Sequence, residues 1–262
     1  MLPLYLSLIG IILAALAEAK WPRRDRDLTR LERWGSALSL LTIGSIVSRV
    51  ILPVGLIGLA LWLETYGIGL FNMVDSPLWL EVIIALLLLD LAIWAQHLAM
   101  HRVECLWRFH RVHHTDPDFD VMTALRFHPG ELVISLLWKG LVIALLGASP
   151  WAVLIFVTAL SLAAVFNHAN LGVPIHIDRW LRLFIVTPDM HRVHHSVYPV
   201  EGHCNFGFFI PWWDRVFGLY QAEPRDGHTG MRLGHEHWRG ADDQALGALL
   251  AQPFQSEPPR QN

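Results

Sequence analysis

Five apolar stretches run through this chain, each long enough for a helix to cross a bilayer, and they limit the fold more than any other feature. Residues 2–19 (LPLYLSLIGIILAALAEA) would extend about 27 Å as a helix, just enough for a hydrocarbon core. No basic segment precedes them, so a retained membrane helix is favoured over a leader peptide, although the Ala-Glu-Ala end is compatible with cleavage. The second stretch, 35–63, is interrupted by Pro53 and should tilt or kink. Ser76-Pro77 reads as N-cap and first helical residue of a third span, about 77–101. His128-Pro129 begins a fourth, to about Gly147, and Ser149-Pro150 a fifth, ending near Asn170. A chain of 262 residues could instead form one or two soluble domains, but 53% hydrophobic and 16% charged residues argue for a membrane.

The loops orient these spans. Residues 20–34 carry six Lys/Arg, and Thr29 with Glu32 resembles a capping box opening the second helix. Residues 102–127 and the segment from 171 onward are also basic, whereas 64–76 and 147–150 contain no Lys or Arg. With five spans, the positive-inside rule puts every basic segment in the cytoplasm. Arg179–Val186 is short and amphipathic, suited to the membrane interface, as is the aromatic run 205–220. Residues 221–262 read as a cytoplasmic tail with one short helix around 241–251. Net charge of −3 and the lack of a basic stripe exclude a nucleic-acid partner. Cys105 and Cys204 have no paired spacing and read as free thiols.

The chemistry lies in the histidines, 15 in all. His-Arg-Val-His-His occurs at 110–114 and again at 191–195. Positions i, i+3 and i+4 share a helix face, so His110, His113 and His114 can point one way, as can His191, His194 and His195. His97 and His101, four apart, can grip one metal from one helix. Imidazole suits Zn, Cu, Fe or Ni. A single zinc takes four ligands, so eight histidines imply two metals. The Glu-x-x-His pairs of carboxylate-bridged di-iron bundles and the Glu of HExxH are missing. A membrane zinc hydrolase and a metal transporter are two classes such a histidine set could serve. A hydrolase would want one metal and a Glu base, and a transporter would place ligands near the midplane.

The chain resembles the fatty acid hydroxylase/sterol desaturase superfamily of membrane-embedded, histidine-rich di-iron oxygenases. The residues that carry the resemblance are His97-x-x-x-His101, His110-Arg-Val-His113-His114, Arg126-Phe-His128-Pro-x-Glu131, Asn167-His168-Ala-Asn170 and Thr187-Pro-Asp-Met-His191-Arg-Val-His194-His195. Asn205-Phe-Gly207 and Trp213-Asp-Arg-Val-Phe-Gly218 complete the set, over about residues 80–220. The resemblance implies an all-α integral membrane protein, about five transmembrane helices under a cytosolic helical cap that holds a dimetal site. It implies His97, His101, His110, His113, His114, His168, His191, His194 and His195 as ligands of two Fe ions, with Zn able to substitute. It also implies O₂ as cosubstrate and hydroxylation or desaturation of a sterol-like, fatty-acyl or ether lipid. Electrons would come from a separate ferredoxin, cytochrome or reductase, since the chain has neither a dinucleotide fingerprint nor an iron–sulfur cysteine set. The expected setting is a bacterial inner membrane, with the metals facing the cytoplasm.

The expected organisation is an N-terminal span pair (1–75), a hydroxylase/desaturase unit (76–222) and a tail (223–262). Some family members carry a tenth histidine four residues after the fourth motif's; Gly172 stands there, and His176 is the substitute to test. His128 should cap a helix, with Arg126 and Glu131 as polar partners. His203 should lie beside the ligands, and Asp189 should orient a ligand or cap its helix. His228, His235 and His237 should be solvated. Within the membrane, Arg49 and Asp90 fall at similar depths and are expected to pair beneath the metals.

Overall fold

The computed structural model describes residues 2–257, apart from the side chains of residues 30–32, so the Glu32 half of the capping box lies outside the described residues. Among the described residues all regular structure is helical, with two isolated bridges, Pro22–Leu171 and Ser196–Leu233. Helix α1 is Leu2–Lys20 and α2 is Arg30–Ile51. Pro53, which cannot donate a backbone hydrogen bond, divides the second apolar stretch, and α3 restarts at Gly55–Thr65. The expected kink is thus a complete break. Helix α4 is Leu78–Arg102, with Pro77 itself as N-cap, one residue later than the Ser76-Pro77 pattern suggested. Then come α5 (Glu104–His114), α6 (Pro129–Leu146), α7 (Pro150–Asn167), α8 (Ile175–Leu181) and α9 (Pro188–His194). Proline at N1 and a capping side chain start α6, α7 and α9.

Five segments are long and apolar enough to cross a membrane: α1, Arg33–Met73, α4, α6 and α7. Leu4, Leu8, Ile12 and Leu16, spaced at one turn along α1, all point outward, as lipid-facing residues should. The protein is an integral membrane protein. Ala60, Leu63, Ala85, Leu89, Ile143 and Phe156 knit α3, α4, α6 and α7 into the main apolar core. At one end of the bundle Gly69 (φ 101°) and Gly147 (φ 64°) meet so closely that a Cβ on Gly69 would lie 2.2 Å from the Gly147 nitrogen. No residue with a side chain fits there.

The opposite end gathers residues 20–34, 102–127 and the tail. Arg33 forks onto Asp116 (2.7 Å twice) and reaches Asp120 (2.8 Å), all buried. The Asp118 carboxylate accepts from the amides of Asp27 (2.7 Å) and Leu28 (2.8 Å). Glu18, at the end of α1, accepts from the amides of Val121 and Asn170 (3.0 Å each) and pairs with Arg26 (2.8 Å). The region read as arginine-rich therefore ends in an acidic run that clasps the basic arm. The tail is docked: Leu249 packs on Leu40 and Val112, and Arg111 donates to the Gln252 and Gln255 carbonyls.

The Arg49–Asp90 pair does not form. Asp90 is buried and accepts from Trp213 Nε1 (2.8 Å), while Arg49 is exposed. The reason is packing order: α2 lies chiefly on α6, and α4 contacts α5, α6 and α7. Matched depth on consecutive spans did not make them neighbours.

Candidate metal centre

Four elements bring nine histidines together. Helix α4 carries His97 and His101 on its last turns, and the chain reverses at Val103 into α5, which carries His110, His113 and His114. His168 caps the C-terminus of α7; His191 and His194 lie on α9, with His195 as its C-cap. All nine are buried, none more than 9% exposed. They form two groups whose ligand-competent atoms lie within 4.8 Å of one another: His97, His101, His110, His114 and His194, and then His113, His168, His191 and His195. Each pentapeptide serves both groups. His110 and His114 join the five-membered group and His113 the other, while His194 joins the first and His191 and His195 the second.

Hydrogen bonds to backbone carbonyls or a carboxylate dictate which nitrogen is free in four of the rings. His97 Nδ1 lies 2.8 Å from the Phe206 carbonyl, His194 Nδ1 2.8 Å from the Cys204 carbonyl and His168 Nδ1 2.7 Å from the Ala164 carbonyl. A carbonyl only accepts, so each Nδ1 must carry the proton and each Nε2 a lone pair. The Glu131 carboxylate imposes the same tautomer on His110, 2.7 Å from its Nδ1. Yet His97 Nε2 stands 3.1 Å from His110 Nε2 and 3.0 Å from His194 Nε2. Lone pairs facing each other at that distance repel, and a cation between them removes the conflict. Imidazole nitrogens about 2.1 Å from one ion stand about 3.0 Å apart at right angles and about 3.4 Å apart tetrahedrally. The observed spacing is short enough for these imidazoles to share one ion.

Burial disfavours the charged form of several of the nine rings. It pushes His113, His114, His191, His194 and His195 well below the usual imidazole range, helped by the neighbouring imidazoles, and brings His168 down to about 4. Both nitrogens of His195 and the Nδ1 atoms of His113 and His191 are buried without a hydrogen-bond partner, so the donor set is chemically unfinished.

The carbonyls that orient His97 and His194 belong to the 204–207 segment, itself held rigidly. Asp214 accepts from Trp94 Nε1 (2.9 Å), Phe206 N (2.9 Å) and Gly207 N (2.8 Å). Asn205 adopts φ 54° and ties its side chain to Met190 O (2.9 Å) and to Gln221 O (2.8 Å) and N (2.9 Å). The Asn-Phe-Gly and Trp-Asp-Arg-Val-Phe-Gly stretches are thus one support for two ligand rings.

Other residues fall elsewhere. His128 caps α6 through Gly130 N (2.9 Å) and faces Leu250 O (3.3 Å); Arg126 binds Val112 O and Thr115 rather than His128, and Glu131 serves His110. His176 is exposed on α8 and takes no part. His203 stands beside His101, ring centres 6.0 Å apart. Asp189 neither caps nor orients: Thr187 caps α9, and Asp189 pairs with Arg192 and with Arg23 (2.8 Å). His228 is 5% exposed, its Nε2 3.0 Å from Glu223, so it is not solvated; His235 and His237 are half-buried. Asn167 and Asn170 brace the end of α7 by donating to Phe208 O (2.9 Å) and Arg24 O (2.8 Å).

Two cavities reach the five-histidine group. One, about 440 Å³, lies among α1, α2, α4, α6 and α7, is walled mainly by aliphatic residues and ends on His97 and His110. The other, about 410 Å³, opens through the cap past Trp107, Tyr198 and His203 onto His101 and His114. Neither is lined by the four-histidine group.

The sequence profile of the fatty acid hydroxylase family matches residues 82–219. An ornithine lipid hydroxylase of Rhizobium tropici is 28% identical over 68% of this chain and 51% of its own length. Cholesterol 25-hydroxylase of Rattus norvegicus is 29% identical over 57% of this chain and 49% of its own. Alkylglycerol monooxygenase of Homo sapiens is 29% identical over 59% and 33% respectively. The chain thus spans about half the length of these curated relatives, or less. No solved structure matches it significantly.

Proposed function

The chain belongs to the fatty acid hydroxylase family, and from that premise we propose that it is a membrane di-iron oxygenase that hydroxylates a lipid C–H bond. The observation that carries this reading is the pair of buried imidazole groups, the five-membered one meeting an apolar cavity within the spans at His97 and His110 and the four-membered one beside it. His97, His101, His110, His114 and His194 would hold one iron, and His113, His168, His191 and His195 the other. Bound iron would supply O₂ activation and oxidation of the C–H bond. One oxygen atom enters that bond and the other leaves as water, with two electrons from a separate ferredoxin, cytochrome or reductase and two protons from solvent. The chain's own residues do the rest. The aliphatic cavity wall holds a lipid chain and excludes water. The carbonyls of Phe206, Cys204 and Ala164 and the Glu131 carboxylate hold protons on Nδ1, aiming the opposite nitrogens inward. Residues 76–222 form the hydroxylase unit in this reading, with 1–75 completing the cavity and 223–262 closing the cap; the site faces the cytoplasm of a bacterial inner membrane.

Hydroxylation is favoured over desaturation because the relatives are named as hydroxylases and a monooxygenase. Expression in iron-replete cells, metal analysis and exposure of lipid extracts to ¹⁸O₂ test the reading. Two irons per chain and a lipid product carrying one ¹⁸O are expected. A product that has lost two hydrogens without gaining oxygen would make it a desaturase. One tightly held zinc with no oxidised lipid would favour a membrane zinc hydrolase.

A further inference from the structure

Helix α6 presents Glu131, Ser135 and Lys139 to the lipid-side cavity at intervals of one turn. Glu131 is engaged by His110, and Ser135 lies 3.4 Å from Gln96 Oε1. Lys139 has no hydrogen bond or ion pair among the described residues. It lies eight residues beyond Glu131, about 12 Å farther from the histidines along the helix, and near the middle of an 18-residue span. The surrounding wall is Ile11, Leu132, Val157, Leu160 and other apolar groups; its further polar members, Ser7, Ser45, Ser161 and Gln96, are neutral. Among the lining residues Glu131 is the single carboxylate; its Oε1 is held by His110, its Oε2 has no hydrogen-bond partner, and it makes no ion pair with Lys139, which it reaches only as a charge at a distance.

A cation inside a membrane is costly unless it meets an opposite charge, and such residues are ordinarily functional. Here the cation faces a space open to lipid, so its counter-charge would arrive with whatever fills that space. We propose that Lys139 is a specificity-determining residue that binds the carboxylate end of a single-chain lipid. The chain would then run up the apolar wall, placing a carbon remote from the carboxylate beneath His97 and His110. Which carbon reacts rests on the oxygenase reading; the binding does not.

The test therefore reads binding. The full chain, purified in detergent and measured both iron-loaded and metal-free, is titrated with palmitate and with methyl palmitate, displacing the fluorescent fatty acid cis-parinarate. Wild type should bind palmitate about tenfold tighter than the uncharged ester. Lys139→Met should abolish that preference while keeping ester affinity, which shows that the cavity is intact, and Lys139→Arg should retain it. Equal affinity of wild type for acid and ester would overturn the proposal even if Lys139→Met fails to fold. So would an undiminished preference in a folded Lys139→Met. A preference that is present without any oxygenated product would instead count against the oxygenase reading and leave Lys139's role standing.

Discussion

At the scale of single residues, the centre is specified by which nitrogen carries a proton. Glu131→Ala removes the acceptor that keeps His110 in its tautomer and should weaken metal binding about 10–100-fold, measured by chelator competition. Glu131→Gln should lose much less, because its amide oxygen still accepts from Nδ1. His113→Ala takes one of four nitrogens and His194→Ala one of five, so both should lose metal while still inserting in the membrane, His113→Ala more completely. Acid should act the same way. His168 falls from the ordinary 6.5 to about 4 in the fold, so between those values the unfolded chain binds more protons than the native one. Native stability of the metal-free protein should be complete above about pH 6.5 and decline as pH falls towards 4, which a series of thermal melts would show. All nine converging histidines were legible: six by helical spacing within the two pentapeptides, His97 and His101 by their four-residue interval, and His168, alone in its motif, only through the resemblance. Their partners were not, because the carbonyls of Phe206, Cys204 and Ala164 leave no mark in a sequence. Lys139, a charge within the fourth span, was passed over in the sequence in favour of Arg49 and Asp90, and its place on the cavity wall became visible only in the structure.

At the scale of elements, prolines and capping residues announced most helix starts, and Pro53 announced a break. What sequence could not supply was which helix lies beside which. Arg49 and Asp90 matched in depth, yet α6 lies against α2 and the Trp213 indole occupies Asp90. The Asp116–Asp120 run had no evident role until Arg33 was seen between its carboxylates. That contact locks the start of α2 to the segment between α5 and α6, directly over the histidines. Arg33→Met should leave Asp116 and Asp120 buried without their cation and cost about 3–5 kcal/mol. A fall in thermal stability with the spectrum of a helical protein retained would bear this out. A change confined to the tip of the arm would show that the amide contacts of Asp118 suffice.

At the scale of the whole molecule, one arrangement reconciles charge, packing and access. The basic arm, the histidine-bearing cap and the docked tail share one end of the bundle, and the Gly69–Gly147 contact closes the other. The positive-inside rule counts Lys and Arg near span ends, and on that rule we propose that the shared end faces the cytoplasm, where the soluble electron donor of the proposed function would approach through the cap cavity. Cys105 is exposed at that end, whereas Cys204 is half-buried. In whole cells carrying Cys204→Ser, Cys105 should react with a membrane-permeant maleimide but resist an impermeant one until the membrane is opened. Asp75 is exposed in the connection before α4, at the far end of that helix from His97 and His101. Asp75→Cys, introduced with Cys105→Ser and Cys204→Ser, should therefore label with the impermeant reagent in intact cells. Because α4 joins the two positions in a single crossing, they must report opposite sides if it spans the bilayer. Impermeant labelling of Cys105 together with protection of Asp75→Cys would invert the molecule and place the metal centre on the outer face.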